Sequence, residues 1–289
     1  SNIELYNRSS YEQTDRFYAQ FLDANNPDAA IKYDSLQASI GWVRNTLNRG
    51  IFPSDGSSQR ASVSITTPNS DVQYFKSTID AKFYFPLSRN QRWTVLARAR
   101  LGYGNGYGDV NGVEQILPFT ENFTAGGSDT LRGFENNTVG PRGVQRLAQG
   151  SISTPDGSVI PGSPANDTLF TSRRSLGGNA MALAGLELIV PTPFIETEFD
   201  RQVRSSVFFD VGNVWDTEFD YDAYKDLTQS TNTDKLADYS DWKNFRSSAG
   251  LSVQWISPMG PMVFSFSRAI QEREGDDAKF FTFNIGQTF

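Results

Sequence analysis

The chain has 289 residues, with 26 Lys and Arg against 33 Asp and Glu, a net charge of −7 and a pI near 4.8. So acidic a chain is a poor general ligand for nucleic acid, whose phosphates demand a basic face. Without a single cysteine or histidine, it can build no disulfide framework, no thiolate or imidazole metal site and no histidine-based triad.

The first thirty residues stand apart. Ser10-Tyr11-Glu12-Gln13 has the form of a capping box, and Phe17, Tyr18, Phe21 and Leu22 follow at helical spacing until Asn25-Asn26-Pro27 stops the pattern. This predicts a short amphipathic helix over roughly 11–24, lying on a surface with its aromatic side covered, the alternative being a membrane-interface or partner-binding helix. From residue 31 the period becomes two. Leu36, Ala38, Ile40 and Trp42 alternate with Gln37, Ser39 and Gly41, and the same alternation recurs through Ala61–Ile65, Ile79–Phe85 and Trp93–Tyr103. After a long interruption it resumes at Ala184–Val190, Val207–Val211, Ala249–Trp255, Met262–Phe266 and Phe281–Phe289. That makes about nine strands of roughly 9–14 residues, longer than the ~5–6 residues of an average soluble strand.

The second face of these strands decides the class. A soluble sandwich would fill it with Lys and Glu. Here it is Ser, Thr, Gly, Asn and Gln with scattered opposite charges, as in a water-filled lumen, while the other face is continuous Val, Leu, Ala, Phe and Trp. Mean hydropathy is −0.45, and no apolar run is long enough for a transmembrane helix. A transmembrane β-barrel meets both conditions, because its strands alternate and average polar. The links also alternate: 86–91, 192–201 and 257–260 are short, and 105–176, 215–243 and 268–278 are long. Outer-membrane barrels have short periplasmic turns and longer outer loops, which predicts a periplasmic C-terminus and the segment 105–176 on the extracellular side. Pro68–Asp71 is the one short link on that outer side.

Three charges stand out. Glu187 and Asp210 share the polar parity on strands adjacent in sequence, and two carboxylates in a confined space share a proton or need a cation between them. In the long link, Gly126-Gly127-Ser128-Asp129-Thr130-Leu131-Arg132-Gly133-Phe134 sets an arginine among glycines, where the backbone turns tightly. Its planar fork suits bidentate pairing with carboxylates and would pin the link inside the barrel. Other features read as ordinary. Gly102–Gly108 is glycine-rich but lacks nucleotide-loop spacing, and four Asn-x-Ser/Thr triplets are short enough to arise by chance. Glu272-Arg273-Glu274-Gly275-Asp276-Asp277 reads as a solvated hairpin tip, since it lacks the calcium-loop pattern.

Leu131-Arg132-Gly133-Phe134 resembles the Val-Arg-Gly-Phe/Tyr lid-loop motif of the BamA-type outer-membrane assembly factors. The similarity extends to Pro118–Phe123, Gly177–Ala180, Pro191–Phe194, Phe209–Asp216, Trp255–Pro261 and the ending Phe283-Asn284-Ile285-Gly286. Leu131 stands where the family has Val, a change expected to be harmless. The resemblance implies an all-β, antiparallel, sixteen-stranded transmembrane barrel preceded by periplasmic POTRA domains. This chain would supply the last nine strands, with 1–30 an extracellular-loop segment carrying the helix and 31–289 the C-terminal part of the barrel, including 105–176 as lid loop. It implies that Arg132 pairs with the carboxylates of Glu187 and Asp210. It also implies a lateral gate whose last strand, about 279–289, carries Phe283, Asn284, Ile285, Gly286 and the terminal aromatic Phe289. Gly286 would weaken that strand's hold on its neighbour. The implied work is folding and inserting nascent outer-membrane β-barrel proteins at the gate. Partners would be those clients, lipoproteins of the assembly machinery reached through the POTRA domains, and outer-membrane lipid; no cofactor, metal or enzymatic step is called for. The alternatives are a protein-secreting or passive pore (a two-partner secretion transporter or a porin), a barrel enzyme, which the absence of histidine argues against, and a large soluble β-sandwich.

Overall fold

A computed structural model describes residues 2–5, 11–18, 21, 31–110, 112–147, 152–153, 159–160, 168–192, 202–220, 239–273 and 275–285. Its centre is one antiparallel sheet of nine strands. They are β1 (Gln37–Asn45), β2 (Gly56–Thr66), β3 (Tyr74–Pro86), β4 (Thr94–Gly106), β5 (Ala180–Val190), β6 (Val203–Trp215), β7 (Arg246–Ser257), β8 (Gly260–Gln271) and β9 (Phe281–Ile285). Each pairs with the next in sequence, so the sheet is a meander whose edges are β1 and β9. Antiparallel neighbours of this kind need only hairpin links, and all but one pair have a link of at most a few tens of residues. The exception joins β4 to β5, where the segment 107–179 intervenes although the two strands pair from Ala180↔Tyr103 to Ile189↔Thr94. The expected count of nine strands and the alternation of short and long links hold. Strand ends lie a few residues from those read in the sequence, because ladder hydrogen bonds continue where the side-chain alternation has stopped.

The faces divide as the period of two requires. Ile40, Trp42, Val63, Ile79, Leu101, Leu186, Phe209, Leu251 and Phe283 are exposed on one side. On the other lie Ser62, Thr78, Arg98, Arg100, Glu187, Asp210, Ser252 and Ser265, many of them hydrogen-bonded across neighbouring strands. An apolar outer face is stable only against lipid or another apolar surface. A strand of 13 residues such as β3, β4 or β6, at about 3.3 Å per residue and tilted by about 40°, spans the ~30 Å of a hydrocarbon core. Among the described residues no helix is long and apolar enough to cross a membrane.

The β7–β8 turn shows how local chemistry fixes register. Ser257 Oγ accepts from Met259 N at 3.2 Å and donates to Gly260 O at 2.8 Å, and Gly260 takes φ +114°, a conformation that side chains disfavour. Among the described residues of the predicted helix, α1 spans Glu12–Tyr18 and Phe21 lies in a turn. Its aromatic side is covered as anticipated: Phe17 and Tyr18 are buried with Tyr33, Val72, Tyr74 and Leu117, against Phe21 and Phe119. The capping box expected of Gln13 involves Ser10, which lies outside the described residues, but the Gln13 side chain also reaches the long segment. Its amide brackets the 107–179 segment, donating to Arg142 O at 2.8 Å and accepting from Val144 N at 2.9 Å. Leu22 also lies outside the described residues, as do Gly286 and Phe289 of the expected gate strand.

Candidate functional site

The described parts of the segment 107–179 fold back over the polar face of β4 to β8. Phe123, Ala125, Leu131, Phe134 and Val139 from the segment pack with Met181, Leu183 and Val214 from β5 and β6. The glycine-rich end of β4 is the bed for this packing. A Cβ at Gly102 would lie 2.6 Å from the Phe123 ring, so this run, which lacks nucleotide-loop spacing, has a steric purpose instead. Short bridges stitch the rest: Phe123↔Gly178, Ala125↔Val139, Gly127↔Leu131 and Phe134↔Ala278. Thr130 Oγ1 donates to Gly126 O at 2.7 Å and accepts from Gly126 N at 3.0 Å, closing the tight turn that presents Leu131 and Arg132.

Arg132 is fully buried, and its fork is satisfied on every side. Nε donates to Asp210 Oδ2 at 2.7 Å and Nη2 to Asp210 Oδ1 at 3.0 Å, while Nη1 donates to Glu187 Oε2 at 2.9 Å. Its Cζ sits 3.5 Å from the centroid of the Phe208 ring, a cation over an aromatic face, and its carbonyl accepts from Ser248 Oγ on β7. Gly133 follows at φ +91°, and a Cβ there would lie 2.9 Å from Ser248 Cβ. Leu131 is buried in the apolar cluster. Thus three strands hold one residue: Glu187 on β5 and Phe208 and Asp210 on β6 take the guanidinium, and Ser248 on β7 takes the backbone carbonyl.

The carboxylates have further partners. Arg98 on β4 donates from Nη2 to Asp210 Oδ2 at 2.7 Å, and Ser206 Oγ donates to Glu187 Oε1. Two guanidiniums against two carboxylates make the cluster neutral, which is the condition for burying it. Burial works against the Arg132 charge, but Glu187 and Asp210 outweigh it and hold the guanidinium more firmly protonated than an ordinary arginine. The arrangement fastens a loop to a sheet.

The structure therefore brings together Arg132, Glu187 and Asp210, the three charges singled out in the sequence. Phe283, Asn284 and Ile285 lie apart from them on β9, with Asn284 on the polar face and the other two outward. Four contributors are not evident from sequence. Parity puts Arg98 on the polar face but names no partner for it, and Ser206 and Ser248 are indistinguishable from other lumenal serines. Phe208 interrupts the alternation, since the pair Phe208-Phe209 gives one aromatic to each face. That doublet on a strand bearing Asp210 is the available signal. One expectation is corrected. The stretch 272–277 is not wholly a solvated tip, because the Asp276 side chain is buried in an ion pair with Arg246 at 2.8 Å.

Comparison with known proteins follows the same lines. The Omp85 superfamily domain profile matches residues 1–289. The chain is 28% identical over 294 aligned residues to the outer membrane protein assembly factor BamA of Neisseria meningitidis serogroup B, covering 97% of this chain and 32% of that protein. It is 26% identical over 222 residues to BamA of Nitratidesulfovibrio vulgaris, covering 76% of this chain and 21% of that protein. The crystal structure of BamA from Haemophilus ducreyi lacking POTRA domains 1-3 superposes with a TM-score of 0.78 at 31% identity, covering 98% of this chain and 48% of that one. The chain thus spans about a third or less of the length of these curated relatives and about half of the solved one.

Proposed function

This chain belongs to the Omp85 superfamily, and we propose that it is the C-terminal barrel part of an outer-membrane assembly factor that folds and inserts other β-barrel proteins. The observation that carries the proposal is the Arg132 lock, a buried loop arginine shared between carboxylates of two adjacent strands. The lipid-facing side of the sheet and the similarity to BamA proteins support an outer-membrane location, with the short turns and C-terminus periplasmic and the lid on the extracellular side.

The work is mechanical, with no bond made or broken. A strand edge in lipid leaves N–H and C=O groups unsatisfied at several kcal/mol each, so a nascent barrel needs a template. β9 is the sheet edge that can supply one: its side toward β8 is paired from Phe281 to Ile285, and its other side offers a ladder for β-augmentation by an incoming strand. Clients are nascent outer-membrane β-barrels, and helper lipoproteins would act through domains preceding the barrel. The test is assembly of a client barrel into lipid vesicles by the full-length protein. Arg132→Ala should slow assembly at least about tenfold and Arg132→Lys should restore little of it. Wild-type rates for Arg132→Ala would overturn the role of the lock.

A further inference from the structure

The acidic stretch after β8 takes no part in the Arg132 site, yet it closes a second buried ion cluster. Arg246, at the start of β7, donates from Nε and Nη2 to the two oxygens of Asp276 at 2.8 and 3.1 Å. Its Nη1 donates to Asn213 Oδ1 at 3.2 Å and Asn244 O at 2.9 Å, and its Cζ lies 4.8 Å from the Tyr239 ring centroid. Arg142, from the lid segment, stands 3.9 Å from the same carboxylate and donates to Thr138 O at 3.1 Å and to Gly275 O. All three charged side chains are at most 1% exposed. A carboxylate on a hairpin tip gains nothing from burial unless its partners are themselves fixed. Here one partner belongs to the lid and the other to the sheet.

From Asp276 the chain runs along the lid and into β9. Glu135 N donates to Asp277 O at 2.8 Å, Phe134 bridges Ala278, and Lys279 N donates to Gly133 O at 2.9 Å. Lys279 Nζ meets Glu135 Oε2 at 2.8 Å. Ser267 N donates to Phe280 O at 2.8 Å, β9 begins at Phe281, and Asn284 Nδ2 donates to Ser128 Oγ at the tip of the lid. β9 is thus held on its ladder side by β8 and on its lumenal face by the lid.

We propose that Asp276 is a positioning residue for the edge strand. By clamping Arg142 and Arg246 it seats the lid on residues 277–280, and through Ser128 and Asn284 the seated lid sets how firmly β9 lies on β8. The meaning of this for templating rests on the proposed function, but the coupling is measurable without a client.

The experiment is hydrogen exchange of the whole chain in detergent micelles. Asp276→Asn should speed exchange at 281–285 and 131–135 by about tenfold, with the β2–β3 hairpin unchanged. Acceleration confined to 272–279, or spread equally over the sheet, would overturn the proposal. A double-mutant cycle separates positioning from general loosening: once Asn284→Ala has been made, Asp276→Asn should add little at β9. Additive effects would show that Asp276 does not act through the lid. If Asp276→Asn does not fold, Asp276→Glu keeps the charge, displaces the carboxylate by one methylene, and enters the same cycle with the same two outcomes. Client assembly is scored separately. Coupled exchange in a protein that assembles no client sinks the proposed function alone, and uncoupled exchange in one that does sinks this inference alone.

Discussion

At Arg132 the consequence of truncation can be worked out partner by partner. In Arg132→Ala, Asp210 keeps Arg98, but Glu187 is left buried with the Ser206 hydroxyl as its donor. Removing one member of a buried ion pair costs about 3–5 kcal/mol when desolvation is complete, and water entering the vacated lumen reduces this. Thermal unfolding in detergent should show a clear fall in midpoint. Arg132→Lys should recover the charge but not the two-pronged grip on Asp210. Gly185 offers a second test. A Cβ there would lie 2.6 Å from both Arg98 Nε and Asp210 Oδ1, so Gly185→Ala should separate that pair and lower the midpoint by an amount corresponding to about 1–3 kcal/mol. The carboxylates' direction was legible because parity is local, one residue in two. Arg98 as the second cation was not, since its pairing with Asp210 crosses β5 and depends on the register of three strands.

Among the elements, the lid and the β8–β9 link meet at a titratable ion pair, Glu135 with Lys279. The hydrogen bond from Lys279 holds the Glu135 carboxyl below the ordinary carboxylate range. A depressed folded-state pKa contributes stability that is present above the unfolded value of about 4.3 and lost as pH falls through the lowered folded value. Both side chains are about two-fifths exposed, at 39% and 43%, so solvent and salt reduce the gain to well under about 1 kcal/mol. Exchange at 133–135 and 277–279 should rise modestly below about pH 4, and Glu135→Gln should remove that pH dependence. The helix α1 anchors the other flank of the lid. Its buried side carries Phe17 and Tyr18, with Phe17 edge-on to Phe119 at 5.7 Å and to Tyr33 at 5.7 Å. Phe17→Ala should expose the 116–119 stretch to protease while leaving the strands intact. Helical spacing announced this aromatic side, but not that Gln13 would bind the lid backbone, because a glutamine near a helix start looks like a cap in any sequence. The burial of Asp276 was equally hidden: two arginines far away in sequence create it.

For the whole molecule, alternation and link lengths made the nine-stranded sheet and its lipid-facing side readable from the chain. How its edges are met was not readable, since β1 and β9 carry no mark that distinguishes them from interior strands. With both edges open among the described residues, the isolated chain should form mixed assemblies in plain buffer and disperse in detergent, as light scattering would show. A monodisperse monomer in plain buffer would contradict the membrane-facing assignment. The one non-local seam, between β4 and β5, also sets a time order. β1 to β4 and β5 to β9 can each zip through neighbouring hairpins, whereas joining the halves must close the 107–179 loop. That loop is several times longer than the others near it, and closing it costs on the order of 1–2 kcal/mol more entropy than a ten-residue link. Arg132 lies within that loop, and both carboxylates it bridges lie beyond it, on β5 and β6. The lock therefore forms late, and its charge pairing rewards the slowest closure in the chain.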